Sequence, residues 1–124
     1  MIFTETIKKN NEFSRLYKNG SYYTSKYLTL YSMEGKPGRN ALGVVAGKKT
    51  GKSVRRNRLK RLIKENYRLY EEFIHSGMML VFIAKAKKDS QMPDFFEIRH
   101  EMKYLFLRAG AFDKQKWESL RNKA

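Results

Sequence analysis

ALGVVAGKKTGKSVRRNRLKRLIKENYR (residues 41–68) contains two sequence patterns joined by a short loop. Residues 41–49 are nearly continuously apolar up to their closing lysines, which is typical of a strand inside a sheet. Ser53 then stands where a helix N-cap belongs, and helical periodicity continues to about Ile74, close to Gly77. The segment therefore predicts a central strand followed by a helix that packs back onto the sheet.

The predicted helix is amphipathic, with one apolar side and one basic side. At roughly 100° per residue, an apolar stripe collects Leu59, Leu62, Ile63, Tyr70 and Phe73. The opposite stripe collects Asn57, Arg61, Lys64 and Arg68, flanked by Arg56, Arg58 and Lys60. The apolar stripe is expected to pack on the sheet, which leaves the basic side for solvent or a partner.

Positive charge is concentrated at the start of this helix, where it is unfavourable. Residues 47–68 hold ten Lys or Arg and one acid, Glu65, and eleven basic residues occupy Lys36 to Lys64 without any acid. Cations in a first turn oppose the helix dipole, at up to about 1 kcal/mol each; those expected there are Lys52, Arg55, Arg56 and Arg58. A bound phosphate reverses this cost. We therefore expect a polyanion partner, with a solvated charged face or a membrane-surface helix as alternatives.

The composition favours a folded nucleic-acid-binding domain. The 124 residues carry a net charge of +15, yet 41% are apolar and 14% aromatic, enough for a core. The absence of cysteine excludes disulfides and thiolate metal sites. No signal peptide is visible, and the longest apolar run, residues 78–84, is too short to span a bilayer, so a cytoplasmic location without membrane contact is expected. Residues 1–112 are predicted to form one RNA-binding domain and residues 113–124 a polar tail.

The remaining chain supplies the other predicted elements. Residues 8–20 predict a helix with Asn10 or Asn11 as cap, Gly20 just past its end, and Phe13, Leu16 and Tyr17 on one face. The further predictions are a strand over 27–33 with Tyr27, Thr29, Tyr31 and Met33 on one face, a turn over 34–40, a buried strand over 77–86, and a last helix with Pro93 in its first turn. Residues 21–26 either begin the first strand or form their own. The order is αβββαβα, a mixed α/β sandwich.

Unaided catalysis is poorly supported by the sequence. His75 and His100 are the only imidazoles, and neither belongs to a pair with metal-ligand spacing. Aromatic residues interleaved with basic ones are better supported as a surface for unstacked bases: Phe13, Tyr17, Tyr27 and Tyr31, although core packing is the alternative for each. This pattern suits single-stranded RNA better than a duplex.

RRNRLKR (55–61), preceded by KKTGKSV (48–54), resembles the signature of the bacterial ribonuclease P protein component. The matching positions are Lys48, Lys49, Gly51, Val54, Arg56, Asn57, Arg58, Lys60 and Arg61, together with Phe13, Tyr17 and Gly20 in the first helix. The resemblance covers about residues 4–110. Lys52 and Ser53 depart from it, because family members more often have Asn and Ala there.

The resemblance implies a fold and a function. The fold is an α+β two-layer sandwich similar to domain 2 of ribosomal protein S5, with a left-handed βαβ crossover where the general rule favours a right-handed one. The function is that of the small subunit of a ribozyme that removes the 5′ leader of precursor tRNA. Catalysis and Mg²⁺ binding would belong mainly to the RNA, in a 1:1 complex with one protein monomer, so that no catalytic or metal-binding residue is assigned to this chain.

The resemblance and the charge pattern together predict two sets of site residues. The RNA-contacting set is Lys48, Lys49, Lys52, Arg55, Arg56, Asn57, Arg58, Lys60, Arg61, Lys64 and Arg68. The cleft for the single-stranded leader is lined by Phe13, Tyr17 and Tyr31. A structural rRNA-binding ribosomal protein and a stand-alone nuclease are the competing hypotheses.

Overall fold

The computed structural model describes residues 4–87 and 89–123. The strands are β1 (Thr4–Thr6), β2 (Ser21–Thr24), β3 (Leu28–Glu34), β4 (Asn40–Val45) and β5 (Met78–Ala84). The helices are α1 (Asn10–Asn19), α2 (Ser53–Tyr70), α3 (Phe95–Ala109) and α4 (Lys114–Lys123), with short 3₁₀ turns at Lys48–Thr50 and Glu71–Phe73. The extreme ends of the predicted domain and tail, residues 1–3 and 124, lie outside the described residues.

The five strands form one mixed sheet in the order β1-β4-β5-β3-β2. The pairs β1–β4 and β4–β5 are parallel, whereas β5–β3 and β3–β2 are antiparallel. The predicted α/β sandwich with a mixed sheet is confirmed, and β4 is an interior strand as expected. The order gains β1 before α1 and α4 after α3. The handedness of the β4–α2–β5 crossover and the likeness to the ribosomal domain stay predictions.

One face of the sheet carries the main core, against α2 and α3. Leu30, Leu42 and Phe82 of the sheet pack there with Leu59 and Ile63 of α2. The α3 residues of the same cluster are Ile98, Met102, Leu105 and Phe106. The amphipathic reading of α2 is therefore correct, because its apolar stripe lies on the sheet and its basic side faces outward.

The opposite face is covered in part by α1. Leu16 is fully buried there against Met79 and Val81 of β5, together with Ile7. The alternation predicted for β3 is confirmed for Tyr31 and its neighbours Thr29 and Met33, which are half-buried on this side while Leu28 and Leu30 are buried on the other.

Tyr27 is a correction to that alternation. It precedes β3 and is buried in the core on the α2–α3 side rather than beside Tyr31. Its backbone N–H donates to Glu101 Oε1 of α3 at 2.7 Å, and this contact turns the chain before the strand begins. Tyr27 is therefore a core residue and offers no surface for bases.

Several predicted element ends were wrong. The N-caps of α1 and α2 are Lys9 and Lys52, neither with a capping side chain, instead of Asn10 or Asn11 and Ser53. Ser53 is already the first helical residue and so is not the cap; its hydroxyl accepts a hydrogen bond from Arg56 Nη2 at 3.2 Å. The strand expected over 41–49 ends at Val45, and its two lysines lie in a 3₁₀ turn.

The last predicted helix also begins later than expected. Asp94 is the N-cap of α3, with a capping box between its side chain and Glu97, so Pro93 lies before the helix and not in its first turn. Beyond α3, Trp117 of α4 stacks on Phe112 with ring centroids 4.3 Å apart. In the described part of the chain no helix is long and apolar enough to cross a membrane.

Candidate nucleic-acid interface

The basic side of α2 and the turn before it form one continuous surface, here called the basic face. Eight of its side chains are exposed and three, Arg55, Arg56 and Lys60, are half-buried. The basic face comprises Lys48, Lys49, Lys52, Arg55, Arg56, Asn57, Arg58, Lys60, Arg61, Lys64 and Arg68. Among the described residues none of these side chains forms an ion pair with a carboxylate, since the two pairs found join Arg39 to Glu5 and His75 to Asp113.

The first turn of α2 adds to the positive potential of the basic face. It holds no acidic residue, and its N-cap, Lys52, has a side chain that cannot accept a hydrogen bond from the first backbone N–H groups. The first intrahelical bond runs from Arg56 N–H to Lys52 C=O, so the N–H groups of residues 53–55 precede the helical ladder. Free N–H groups, the helix dipole and surrounding cations together favour an anion such as phosphate.

Arg55 differs from the other cations of the basic face. Its Nη2 donates to the backbone oxygens of Lys87 and Ser90, both at 2.8 Å, and approaches Ser90 Oγ at 3.3 Å. These bonds hold the loop between β5 and α3 against α2. The guanidinium group of Arg55 therefore has a structural role that no sequence pattern signals, and the RNA contact predicted for this residue stays a prediction.

Four rings form a second surface feature, here called the aromatic patch: Phe13, Tyr17, Tyr22 and Tyr31. Ring centroids of Phe13 and Tyr17 lie 6.2 Å apart, those of Tyr17 and Tyr31 5.0 Å, and those of Tyr22 and Tyr31 5.6 Å. The three residues predicted for the leader cleft are thus brought together. Tyr17 is 40% and Tyr22 65% exposed, so the patch presents open ring surface.

Tyr22 was missed by the sequence analysis. It lies directly opposite Tyr31 in the antiparallel β2–β3 pair, on the same face of the sheet. The sequence pattern allows residues 21–26 either to begin the first strand or to form their own, so it does not determine this register. A hairpin reading of SYYT against LTLYSM would have placed the two tyrosines side by side.

Close packing fixes the aromatic patch in place. A Cβ at Gly43 of β4 would lie 2.7 Å from Phe13 Cε1, so the glycine allows the phenyl ring to rest on the strand backbone. Burial, with the nearby Tyr31 hydroxyl as a smaller cause, raises the pKa of Tyr17. The tyrosine therefore stays neutral at physiological pH and can contact a base without carrying charge.

The aromatic patch and the basic face converge on one edge of the sheet, the one formed by the strand ends where β4 and β5 stop and β3 begins. Beyond the rings, the α1 side of the sheet continues through half-buried Thr29, Ile83 and Val45, which are neighbours by strand register. Lys48 and Lys49 follow β4 directly at this edge, and α2 begins there. A strand of RNA lying over the aromatic patch would therefore run toward the basic face.

In the part of the chain that the structure describes, no group of three or more His, Asp or Glu side chains could hold a metal ion. His75 Nδ1 lies 3.9 Å from Asp113 Oδ2. Glu101 Oε1 accepts hydrogen bonds from Ser25 Oγ and Tyr27 N–H, which is a structural arrangement. The chemistry that this surface offers is binding through charge and stacking.

A family model described as Ribonuclease P matches residues 2–110. The chain belongs to the ribonuclease P protein family. It is 44% identical over 108 residues to the ribonuclease P protein component of Clostridium kluyveri, covering 86% of this chain and 95% of that protein. With the same component of Clostridioides difficile it shares 41% identity over 93 residues, or 73% and 82% of the two chains.

Solved structures of the ribonuclease P family have the same fold. The RNase P protein of Staphylococcus aureus superposes with a TM-score of 0.73 at 25% identity, covering 89% of this chain and 99% of that one. The protein from Thermotoga maritima gives 0.73 at 26% identity, covering 84% and 96%. The family match ends at residue 110, so α4 lies beyond it.

Proposed function

We propose that this chain, as the protein component of ribonuclease P, binds the catalytic RNA through its basic face and the single-stranded 5′ leader of precursor tRNA through its aromatic patch. The observation that carries the proposal is the convergence of these two surfaces on one edge of the sheet. A protein built in this way can hold the catalytic RNA and the leader at the same time, which favours cleavage at the junction between leader and tRNA.

The basic face is suited to a folded RNA backbone. Most of its cations are exposed and none has a carboxylate partner among the described residues, so a polyanion relieves their mutual repulsion and releases counterions. If about five phosphates are neutralised, the logarithm of the binding constant falls against that of salt concentration with a slope of about −3.5 to −4.5.

The aromatic patch is suited to unpaired bases. Exposed tyrosine rings accept stacking from any base, at roughly 1–3 kcal/mol per base. Such contacts need a single strand whose bases are free, and a 5′ leader provides one, whereas the paired acceptor stem of a mature tRNA does not. The protein therefore distinguishes precursor from product.

Cleavage is assigned to the RNA subunit with Mg²⁺, in a complex of one protein with one RNA. Mg²⁺ prefers oxygen ligands, usually carboxylates with water, whereas the basic face presents ammonium and guanidinium groups. These residues do not fit a protein-held magnesium site. Neutralisation of RNA phosphates by the basic face would instead lower the Mg²⁺ concentration at which the holoenzyme is active.

Reconstitution tests this proposal directly. The protein is mixed with its cognate catalytic RNA at low Mg²⁺, and cleavage of leader-bearing precursor tRNA is measured with the affinities for precursor and mature tRNA. Phe13→Ala should weaken precursor binding about tenfold and leave mature tRNA unaffected. Phe96→Ala, which removes a ring that is 69% exposed on α3, is the matched control and should change neither affinity.

Two results would contradict the proposal. If the wild-type protein gives no gain in precursor cleavage, the subunit role fails. If Phe13→Ala and Phe96→Ala behave alike, the leader assignment fails. A ribosomal role is not favoured, because the matching family and its solved structures are ribonuclease P proteins. Cleavage by highly purified protein without RNA would revive the stand-alone nuclease.

A further inference from the structure

A cleft opens beside the first turn of α2, on the side of the sheet opposite to the aromatic patch. Its volume is about 670 Å³, within the roughly 300–1,000 Å³ of small-ligand sites. One wall is α2 with the residues before it, and the other is the loop between β5 and α3. The side chains that matter for its chemistry are Lys48, Lys52, Val54, Arg58, Asp89 and Met92.

Arg55 holds the loop wall of this cleft in place. Its two 2.8 Å hydrogen bonds end on the carbonyl oxygens of Lys87 and Ser90, and Ser90 Oγ donates back to Lys87 C=O at 2.7 Å. A guanidinium group can bridge two carbonyl oxygens in this manner because its donors are fixed in one plane. Lys87 and Ser90 of the loop are therefore held beside the first turn of α2.

The lining combines cations with apolar side chains. Val54, an apolar residue in the first turn of a strongly basic helix, is 83% exposed. Met92 across the cleft is half-buried against the main core. Lys48, Lys52 and Arg58 surround them. Binding of phosphate alone would need no apolar surface, whereas a nucleotide has an apolar base face and an anionic phosphate.

We propose that this cleft binds one unpaired nucleotide of the catalytic RNA, with its base against Val54 and Met92 and its phosphate among Lys48, Lys52 and Arg58. The inference deepens the proposed function and rests on it, because it takes the catalytic RNA as the partner. Asp89 is the acid among the lining residues named above. A carboxylate accepts hydrogen bonds from an exocyclic amine or a ribose hydroxyl, so it is suited to the base and sugar while the cations hold the phosphate.

The position of the cleft favours the catalytic RNA over the leader. It is continuous with the basic face through Lys48, Lys52 and Arg58, whereas the aromatic patch lies on the other side of the sheet. A leader strand on the aromatic patch would have to pass the end of the sheet and the part of the basic face assigned to the catalytic RNA before it reached this cleft. The RNA that covers the basic face passes directly over its mouth.

The test combines binding with base-specific chemical probing of the catalytic RNA. Val54→Ser removes apolar surface without changing charge, and an 83% exposed side chain is not needed for folding. We expect binding to the catalytic RNA to weaken about fivefold with an unchanged salt slope. A reagent that modifies unpaired bases should show one base protected by the wild-type protein and exposed again with Val54→Ser. Leu69→Ser, at a 49% exposed apolar position in the last turn of α2, is the matched control.

Each outcome supports or overturns the assignment of the cleft. Weaker binding and loss of one protected base with Val54→Ser alone support the cleft. Equal effects of Val54→Ser and Leu69→Ser, or a protected base that Val54→Ser leaves protected, overturn it while the subunit role stands. Protection that needs added precursor tRNA overturns it in favour of a substrate nucleotide. If the wild-type protein does not bind the RNA at all, the proposed function fails and the cleft assignment fails with it.

Discussion

The basic face and the aromatic patch meet at one edge of the sheet but are built in different ways. Eight of the eleven residues of the basic face lie on α2, where helical periodicity brings their side chains together, and the other three precede it closely in the chain. The aromatic patch draws on α1, β2 and β3, and its rings touch only after the sheet has formed. Charge acts over several ångströms and tolerates small displacements, whereas stacking requires rings in contact. RNA binding by the basic face should therefore depend on salt and surface charge, and RNA binding by the aromatic patch should depend on the geometry of its rings.

Charge reversal on the basic face should have the largest effect. Replacing Arg58, Arg61 and Lys64 together by Glu is expected to weaken binding to the catalytic RNA at least about 100-fold and to reduce the salt slope by about two to three. The measurement is a salt titration of binding. Replacing Lys36, Lys114 and Lys116 by Glu changes the net charge equally at exposed positions outside both surfaces, and should cost much less. Equal losses in the two triple variants would mean that net charge, not the basic face, controls binding.

Tyr67, on the buried side of α2, should make the free energy of unfolding depend on pH. Burial raises the pKa of Tyr67 to about 12, opposed by the hydrogen bond to Thr4 and increased by Glu71; the two hydroxyl oxygens lie 2.7 Å apart. Because the folded-state pKa lies above the unfolded value, the stabilisation is complete below about pH 10 and is lost as pH rises toward about 12. The free energy of unfolding should fall by up to about 3 kcal/mol over that window.

Denaturant titrations at several alkaline pH values measure this loss. Tyr67→Phe lacks the ionisable group and should show a flatter profile between pH 10 and 12. The same decline in both proteins would assign the pH dependence to other groups, such as Tyr70, whose pKa is also raised by burial.

Removal of a single exposed ring from the aromatic patch should have the smallest effect and the most selective one. Tyr22→Ala is expected to weaken precursor tRNA binding about fivefold without changing the affinity for mature tRNA or the salt slope. Competition binding with the two tRNAs is the measurement. Tyr104→Ala on α3, where the ring is 50% exposed, is the control; a similar loss in both variants would remove Tyr22 from the leader surface.

Local patterns predicted most of the elements, and each failure has an identifiable physical cause. The β1 strand, TET, is too short and polar to be recognised, and it depends on pairing with β4. The caps of α1 and α2 were misplaced because Asn10 and Ser53 have suitable side chains, yet the chain enters the helical conformation at those residues and not after them.

Tyr22 and Tyr27 show how far local sequence patterns can predict the position of a side chain. Tyr27 and Tyr22 look equivalent in sequence, as aromatic residues near the start of a strand. The contact of Glu101 with the chain at Tyr27 turns that ring into the core, whereas the β2–β3 register brings Tyr22 beside Tyr31 on the surface. Both outcomes depend on residues distant in sequence or on pairing, which alternation within one strand does not encode.

The sequence by itself established the basic face, because helix periodicity and the absence of acids depend only on neighbouring residues. It also established the family, through the motif around Arg56 and Arg58. Only the tertiary structure showed the features that depend on distant contacts. The two surfaces meet at one edge of the sheet, the ring of Phe13 packs on Gly43, and Arg55 holds the loop between β5 and α3. These features arise from strand pairing and helix packing between segments far apart in the chain, so a linear pattern carries no record of them.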